Sequence, residues 1–364
     1  MLAGSSAARH YGYSSARVKA MESRLLSGKA LQDMMEAKDI GTMLSMLFQG
    51  DYREELEEYG GLDIKSEHID FALSKNLAKS VEKLVSISPS TEKNLMRAIV
   101  GKWDLYNVKV CLEAKDRRQP YEVIARYIID YGIYDAQAVK EIMREESVEG
   151  MLNKFMLNSP YRAILREALE EYKRTRSSAD AIAAVDRLYY KMLGNVIIGL
   201  RAVDNSSARI VKMDIDLKNM LLLIKAKRVG AKFSEIANGV IAQGNMPVNE
   251  LESIYSNSKD IEAMAAQFKQ YDLKDALESY RSGKPGKLLS FEISLRNNVF
   301  MQSRRMLNHS MLSFGAMLAY AYMKEIEIFT LRIIINSRLY GLGREDTAKL
   351  INDSTRKPII SMVG

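Results

Sequence analysis

A single cysteine, Cys111, excludes any disulfide within the chain, and a chain without disulfides suits a reducing compartment. Cys111 lies in an apolar helical stretch, which fits a small buried filler better than a reactive thiol. The three histidines, His10, His68 and His309, are scattered, and none has a second metal-ligand type at zinc-site spacing. No metal site and no cofactor are expected. Only 6 prolines and 21 glycines stand among 364 residues, so little interrupts a helix. Long apolar runs are missing as well. The longest, around Met311 to Met323, is roughly half of the ~20 residues a bilayer span requires, and Lys324, Glu325 and Glu327 follow at once. No transmembrane helix is expected. Nor is a secretory signal, because the N-terminus has no charged start followed by an apolar block. The expected place is the cytoplasm, with membrane contact only indirect.

The constellations of catalysis are missing too. A phosphate-binding loop needs a glycine five residues before a Gly-Lys-Ser/Thr, so that successive backbone N–H groups wrap the phosphates and the hydroxyl holds magnesium. Gly28-Lys29, Gly101-Lys102, Gly283-Lys284 and Gly286-Lys287 all lack both the upstream glycine and the following hydroxyl. Gly341 and Gly343 resemble the start of a dinucleotide loop, but no strand precedes them and no third glycine follows; they fit a helix terminus. No set of nucleophile, base and orienting group emerges, and the chain is not expected to be an enzyme. The net charge of +7 comes from 53 basic and 46 acidic residues that are intermixed. That is the pattern of a solvated helical surface laced with ion pairs, and no nucleic-acid partner is expected.

What the chain does contain is helix-forming residues at helical spacing: Ala, Leu, Met, Glu, Lys and Arg dominate. From His68 to Ile87 the residues Ile69, Leu73, Leu77, Val81 and Leu84 form one stripe, and Pro89 with Ser90 ends that helix. The next helix is expected to run from Asn94 through Lys115. No period-2 run bounded by turn residues occurs, so the fold class is all-α. The 21 methionines fit core filling better than an adaptable binding groove, and Trp103, the only tryptophan, is read as a core or interface anchor.

The stronger signal is an internal repeat of about 110 residues. The helix bearing Arg97, Asp104, Leu105, Asn107, Ala114 and Lys115 returns as Arg209, Asp216, Leu217, Asn219, Ala226 and Lys227. A weaker third copy has Glu327, Ile328, Thr330 and Arg338 in the corresponding places. Upstream of each lies a short amphipathic hairpin: Asp39, Ile40, Met43 and Leu44; Ser147, Val148, Met151 and Leu152; Asp260, Ile261 and Met264. Each is followed by a tyrosine, Tyr52, Tyr161 and Tyr271. Between the two elements sits a further long helix, with Asp70, Asp186 and Glu292 in roughly corresponding positions. Three units are therefore expected: 1–131, 132–246 and 247–364, with boundaries where Gly132, Gly244, Asn245 and Pro247 interrupt periodicity. The paired polar residues Asp104/Asn107, Asp216/Asn219 and Glu327/Thr330 are read as interhelical locks that fix how the long helices cross, because an active site rarely needs triplication within one chain.

At the N-terminus, Tyr11-Gly-Tyr13-Ser-Ser-Ala16-Arg17-Val18-Lys-Ala-Met21 closely resembles the opening of the C subunit of archaeal and bacterial A/V-type ATP synthases, the relative of the eukaryotic V-ATPase d subunit. Ala37-Lys-Asp39 and Gln49-Gly-Asp51-Tyr52 look like the same family's next hairpin. Near the C-terminus, Leu318-Ala-Tyr320, Lys324-Glu325-Ile326-Glu327 and Leu331-Arg332-Ile333-Ile334 resemble its closing signature. The similarity runs from about Tyr11 to Leu350, although Phe329-Thr330 and Asn336-Ser337-Arg338 depart from the family's usual residues. The resemblance implies a funnel of three similar helical domains around a pseudo-threefold axis. It also implies a non-catalytic adapter of the central stalk, a monomer within the complex, on the cytoplasmic face of the membrane. Its partners would be the D- and F-type subunits of the rotor shaft and the K-type membrane c-ring. Torque would pass through it between ion transport and ATP synthesis or hydrolysis. The alternative is a helical-repeat scaffold that binds a soluble protein.

Overall fold

A computed structural model describes residues 2–58, 66–282, 287–309, 312–339 and 341, and every described element is helical. In chain order these are α1 (Leu2–Glu22), α2 (Gly28–Glu36), α3 (Ile40–Phe48), α4 (Arg53–Glu57), α5 (Ser66–Ile87), α6 (Lys93–Val100), α7 (Lys102–Asp116), α8 (Tyr121–Ile124), α9 (Ala136–Ile142) and α10 (Val148–Phe155). They continue as α11 (Arg162–Thr175), α12 (Ser178–Val203), α13 (Asn205–Arg228), α14 (Phe233–Ile236), α15 (Val248–Asn257), α16 (Ile261–Ala265), α17 (Lys274–Arg281), α18 (Lys287–His309) and α19 (Phe314–Leu339).

The chain divides into two compact units, one made of residues 54–199 and the other of the residues up to 53 together with those from 200 onward. Compactness and sequence repeat thus partition the same chain differently. In the 54–199 unit, α5 packs on α6 and on the 3-10 turn Ala125–Tyr127, and α7 packs on α8 and α10. In the other unit α13, α18 and α19 pack together, and α1, α2 and α3 lie against α19 although most of the chain separates them in sequence. Burial of Leu73, Leu84, Leu112, Leu165 and Val185 in the first case, and of Ile215, Leu223, Phe291, Phe314 and Leu331 in the second, supplies the cores.

Local sequence explains the ends of the elements. Asp39 caps α3 by accepting from Thr42 N, Ser147 caps α10 by accepting from Gly150 N, and Asp260 caps α16 by accepting from Ala263 N. Helix α5 stops at Ile87 because Pro89 disfavours helical backbone at the residue before it. Arg176 ends α11 in the left-handed region at φ 56°. The helix expected from Asn94 through Lys115 is instead two, α6 and α7, meeting at Gly101. A Cβ on Gly101 would collide with the Tyr161 hydroxyl, so the close approach of that side chain explains the glycine. No helix among the described residues is long and apolar enough to cross a membrane.

Candidate functional site

The acid and its polar neighbour three residues on are buried in each copy of the repeat, and each acid fastens a long helix to a hairpin. Asp104 is 5% exposed on α7; its Oδ1 accepts from the backbone N–H groups of Ile133 (2.9 Å) and Tyr134 (3.2 Å), and its Oδ2 from Tyr161 Oη (3.0 Å). Asp216 on α13 is fully buried and accepts from Asn245 N (3.0 Å), Met246 N (3.2 Å) and Tyr271 Oη (2.6 Å). Glu327 on α19 accepts from Leu26 N (2.5 Å) and Tyr52 Oη (2.6 Å). The acid of one helix therefore takes the tyrosine that follows the next hairpin, and the last helix takes the tyrosine of the first hairpin.

Two more contacts accompany the acids. The Asn107 side chain donates to Ile129 O and Tyr134 O and accepts from Ile129 N (2.7, 2.8 and 2.9 Å). Asn219 pairs in the same way with both backbone groups of Ile241, each at 2.8 Å. These amides satisfy buried backbone that no helix or sheet pairs. Thr330 does not take part: its hydroxyl donates to Ile326 O in its own helix. About three turns beyond each acid a basic side chain reaches the carbonyl end of the hairpin's first helix. Lys115 Nζ donates to Met143 O (2.9 Å) and Glu145 O (2.5 Å), Lys227 Nζ to Tyr255 O (2.6 Å), and Arg338 to Met35 O (3.3 Å) and Ala37 O. Cations there favour the negative end of the helix dipole as well as its unpaired carbonyls. The partners of the locks are thus loop backbone, a tyrosine and a helix end, rather than the neighbouring long helix.

The sequence marks the tyrosines without their partners, and in it Gly132 and Gly244 are only interruptions of periodicity. Both glycines sit against the acids: a Cβ at Gly132 would strike the Asp104 carboxylate, and one at Gly244 the Asp216 carboxylate. Lys324 stands out in the sequence as a signature residue only. Its ammonium is fully buried, 2.8 Å from Glu327 Oε1, 3.2 Å from Tyr52 Oη, 3.4 Å from Asp51 Oδ2 and 4.4 Å from the Tyr52 ring centre. The signal for it is a lysine three residues before an acid at the end of a long apolar run.

The remaining residues of the repeat and of the family signature stand apart from the locks. Arg97 and Arg209 are exposed, as is Arg17, while Tyr11 and Met21 are half-buried and Tyr13 is 67% exposed. Glu325 lies 3.7 Å from Arg296, and Arg332 is half-buried on α19. Gly283, Lys284, Gly286, Gly343 and the stretch up to Leu350 lie outside the described residues.

Electrostatics separate the three locks. Burial pushes the Asp104 carboxyl up from 3.8 to about 6, against the lowering effect of its hydrogen bonds, and it raises Asp216 in the same way. Tyr161 and Tyr271 are raised too, by burial first and then by the neighbouring carboxylates, so they stay neutral donors. The Tyr52 hydroxyl, by burial first, and the Lys324 ammonium are both held well above their usual ranges; burial favours the neutral lysine, but Glu327, Tyr52 and Tyr320 together outweigh it. Burial pushes the Cys111 thiol up to about 12, which leaves it inert. A small pocket beside Glu327 is bordered by Leu25, Leu26, Leu31, Phe300 and Met323, apolar side chains around a carboxylate already bonded. Among the described residues no cluster of three His, Cys, Asp or Glu is arranged to hold a metal ion.

These features define an all-helical protein whose buried polar residues fasten helices and hairpins together. Its family can be stated as well: the chain belongs to the ATP synthase (C/AC39) subunit family, whose model matches residues 14–350. It is 26% identical over 345 residues to the A-type ATP synthase C subunit of Thermoplasma acidophilum, covering 92% of this chain and 96% of the relative. The corresponding protein of Thermococcus kodakarensis is 25% identical over 338 residues, with 92% and 88% covered. That of Methanocaldococcus jannaschii is 22% identical over 345 residues, with 94% and 86% covered. The chain therefore sits among the subunits of rotary ATP synthases.

Proposed function

We propose that the chain is the non-catalytic adapter of the central stalk, seating the D- and F-type shaft subunits on the K-type membrane ring and passing torque between ion transport and ATP synthesis or hydrolysis. It works as a monomer on the cytoplasmic face of the membrane, as a peripheral subunit built of three related units, 1–131, 132–246 and 247–364. Family membership supports the assignment to the motor. The observation that carries the mechanical part is the triple lock, above all the bonds from Tyr52 and Leu26 to Glu327, which tie residues at opposite ends of the sequence into one unit. A part that transmits load without chemistry needs its helices unable to slide past its hairpins. Buried, geometrically specific hydrogen bonds resist such sliding better than apolar contacts, which tolerate repacking.

The test uses the assembled motor. The contact with the polar loops of the ring leans on exposed charge, which weakens as the Debye length falls from about 8 Å at physiological salt to about 3 Å at 1 M. The contact with the shaft leans on apolar burial, which screening does not reach. Washing with 1 M salt should free this subunit from the ring while it stays on the shaft. Release from the shaft first, or recovery of the chain in the soluble fraction without motor subunits, would reject the adapter role in favour of a scaffold for a soluble protein.

A further inference from the structure

Two of the three locks bury a carboxylate that faces no cation. Around Asp104 the loop brings the N–H groups of Ile133 and Tyr134, the Tyr131 ring and the Asp135 carboxylate, and the segment before α11 brings the Tyr161 hydroxyl. Arg97 on α6 is exposed and acts on Tyr131 rather than on the acid. Around Asp216 stand Asn245 and Met246 from the loop and Tyr271 from the segment before α17, with exposed Arg209 acting on Tyr271. Glu327 differs, because Lys324 touches it from one turn earlier in the same helix, and Arg24 and Lys324 both approach the adjoining Asp51.

A buried carboxylate loses the hydration of its charge, and neutral N–H and O–H donors restore only part of it. A proton removes that cost without breaking the lock. In Asp104, Oδ1 keeps both backbone donors and the protonated Oδ2 donates to the Tyr161 oxygen, which can accept as well as donate; in Asp216, Oδ1 keeps Met246 N, and Oδ2, which faces both Asn245 N and Tyr271, still has a lone pair for Asn245 N when protonated. We propose that the locks at Asp104 and Asp216 are acid-tightened clasps, gripping their hairpins harder when the carboxyl is protonated.

The direction follows from linkage. A carboxyl whose folded value lies above its unfolded value stabilises the fold fully below the unfolded value, and that contribution disappears as pH rises through the folded one. For Asp104 the window runs from about 6 down to its ordinary 3.8, which between pH 7.5 and pH 5.0 amounts to about a tenfold gain in the folding equilibrium. The measurement compares the full chain with Asp104→Asn and Asp216→Asn in urea unfolding at the two pH values. The ratio of wild-type to Asp104→Asn folding constants should rise about tenfold at pH 5.0, and Asp216→Asn should move in the same direction. A ratio independent of pH for both aspartate variants overturns the proposal, as does one that falls on acidification. Infrared spectra of chain labelled with 13C-carboxyl aspartate provide a second reading that does not depend on unfolding. A protonated-carboxyl band should grow in on acidification, lose its component with a midpoint near 6 in Asp104→Asn, and vanish in the Asp104→Asn/Asp216→Asn double variant; its absence from the folded protein at pH 5.0 overturns the proposal as well.

Discussion

The locks at Asp104 and Asp216 and the lock at Glu327 perform one task with different chemistry. In the first two a short acid meets loop backbone that must come close, and a glycine stands where any Cβ would strike the carboxylate. In the third the acid is one methylene longer and reaches Leu26 N without a glycine at the neighbouring position, which is Leu25. The first two join residues 57 and 55 apart through their tyrosines, and the third joins residues 275 apart. Closing the longer loop from the unfolded chain costs about 1.4 kcal/mol more, and only this lock carries a buried ammonium. The difference teaches that a repeat keeps geometry more strictly than charge. Where connectivity no longer helps, the chain adds a strong charge-assisted bond.

The largest effect expected from breaking this contrast is at Lys324. Replacing it with Met leaves Glu327 buried without its cation, and removing one member of a buried pair costs about 3–5 kcal/mol. Adding Glu327→Gln should recover much of that loss, since the amide oxygen still accepts from Leu26 N or Tyr52 while no charge remains. Urea unfolding of the two single variants and the double variant measures the coupling. Additive losses would mean that the pair is not the reason this lock differs.

Next come the glycines. Gly132→Ala places a methyl against Asp104 and forces a side chain onto backbone at φ +81°, so a loss of about 2–4 kcal/mol is expected. Gly244→Ala meets the same collision at Asp216 without a left-handed φ, and should cost about 1 kcal/mol less. Combining Gly132→Ala with Asp104→Ala should cost less than the sum of the two, because the second change removes the atoms with which the first collides. Full additivity in thermal or urea unfolding would deny that the glycine exists to admit the carboxylate.

Much of this was legible in the residues, and the remainder has physical reasons. The apolar stripes marked the buried faces, and Asp39, Ser147 and Asp260 stood out as the first residues of the repeated hairpins, where the structure makes each a helix cap. The acids recurred visibly, yet their partners could not be read, since pairing each acid with the following hairpin's tyrosine is a fact of tertiary packing. The match of Thr330 to Asn107 was one of position only, because a hydroxyl that gives its one hydrogen to Ile326 O has none left for a loop carbonyl, where the amide both donates and accepts. The break at Gly101 was hidden because helical periodicity runs on through it.

A smaller effect tests the tyrosines. Removing the hydroxyl with Tyr161→Phe or Tyr271→Phe takes one donor from a buried acid that has no cation, and should cost about 1.5–2 kcal/mol. Tyr52→Phe should cost roughly half as much, since Lys324 still donates to Glu327 and still lies over the ring. A Tyr52 loss equal to or larger than the others would show that the lysine does not share the load.

The smallest expected effect is the most discriminating for what the repeat is for. Arg97 and Arg209 recur in step with the acids, so the repeat alone suggests that they belong to the locks. Both are exposed, and Arg97 makes a 3.4 Å contact with Asn94 in its own helix. Exposed side chains away from caps and buried networks change stability by no more than about 0.5 kcal/mol. Arg97→Ala and Arg209→Ala should therefore unfold at the wild-type urea concentration, alone and together. If they do, their recurrence is left to explain by something outside the isolated chain. Retention of the double variant on purified motor complexes at rising salt then separates a contact with a partner from mere descent from a common unit: earlier release means contact, and unchanged release means inheritance. A loss of about 2 kcal/mol or more in the isolated chain, well beyond the surface range, would instead place the arginines inside the locks and require the electrostatic account of Asp104 and Asp216, in which no cation reaches the acid, to be redrawn.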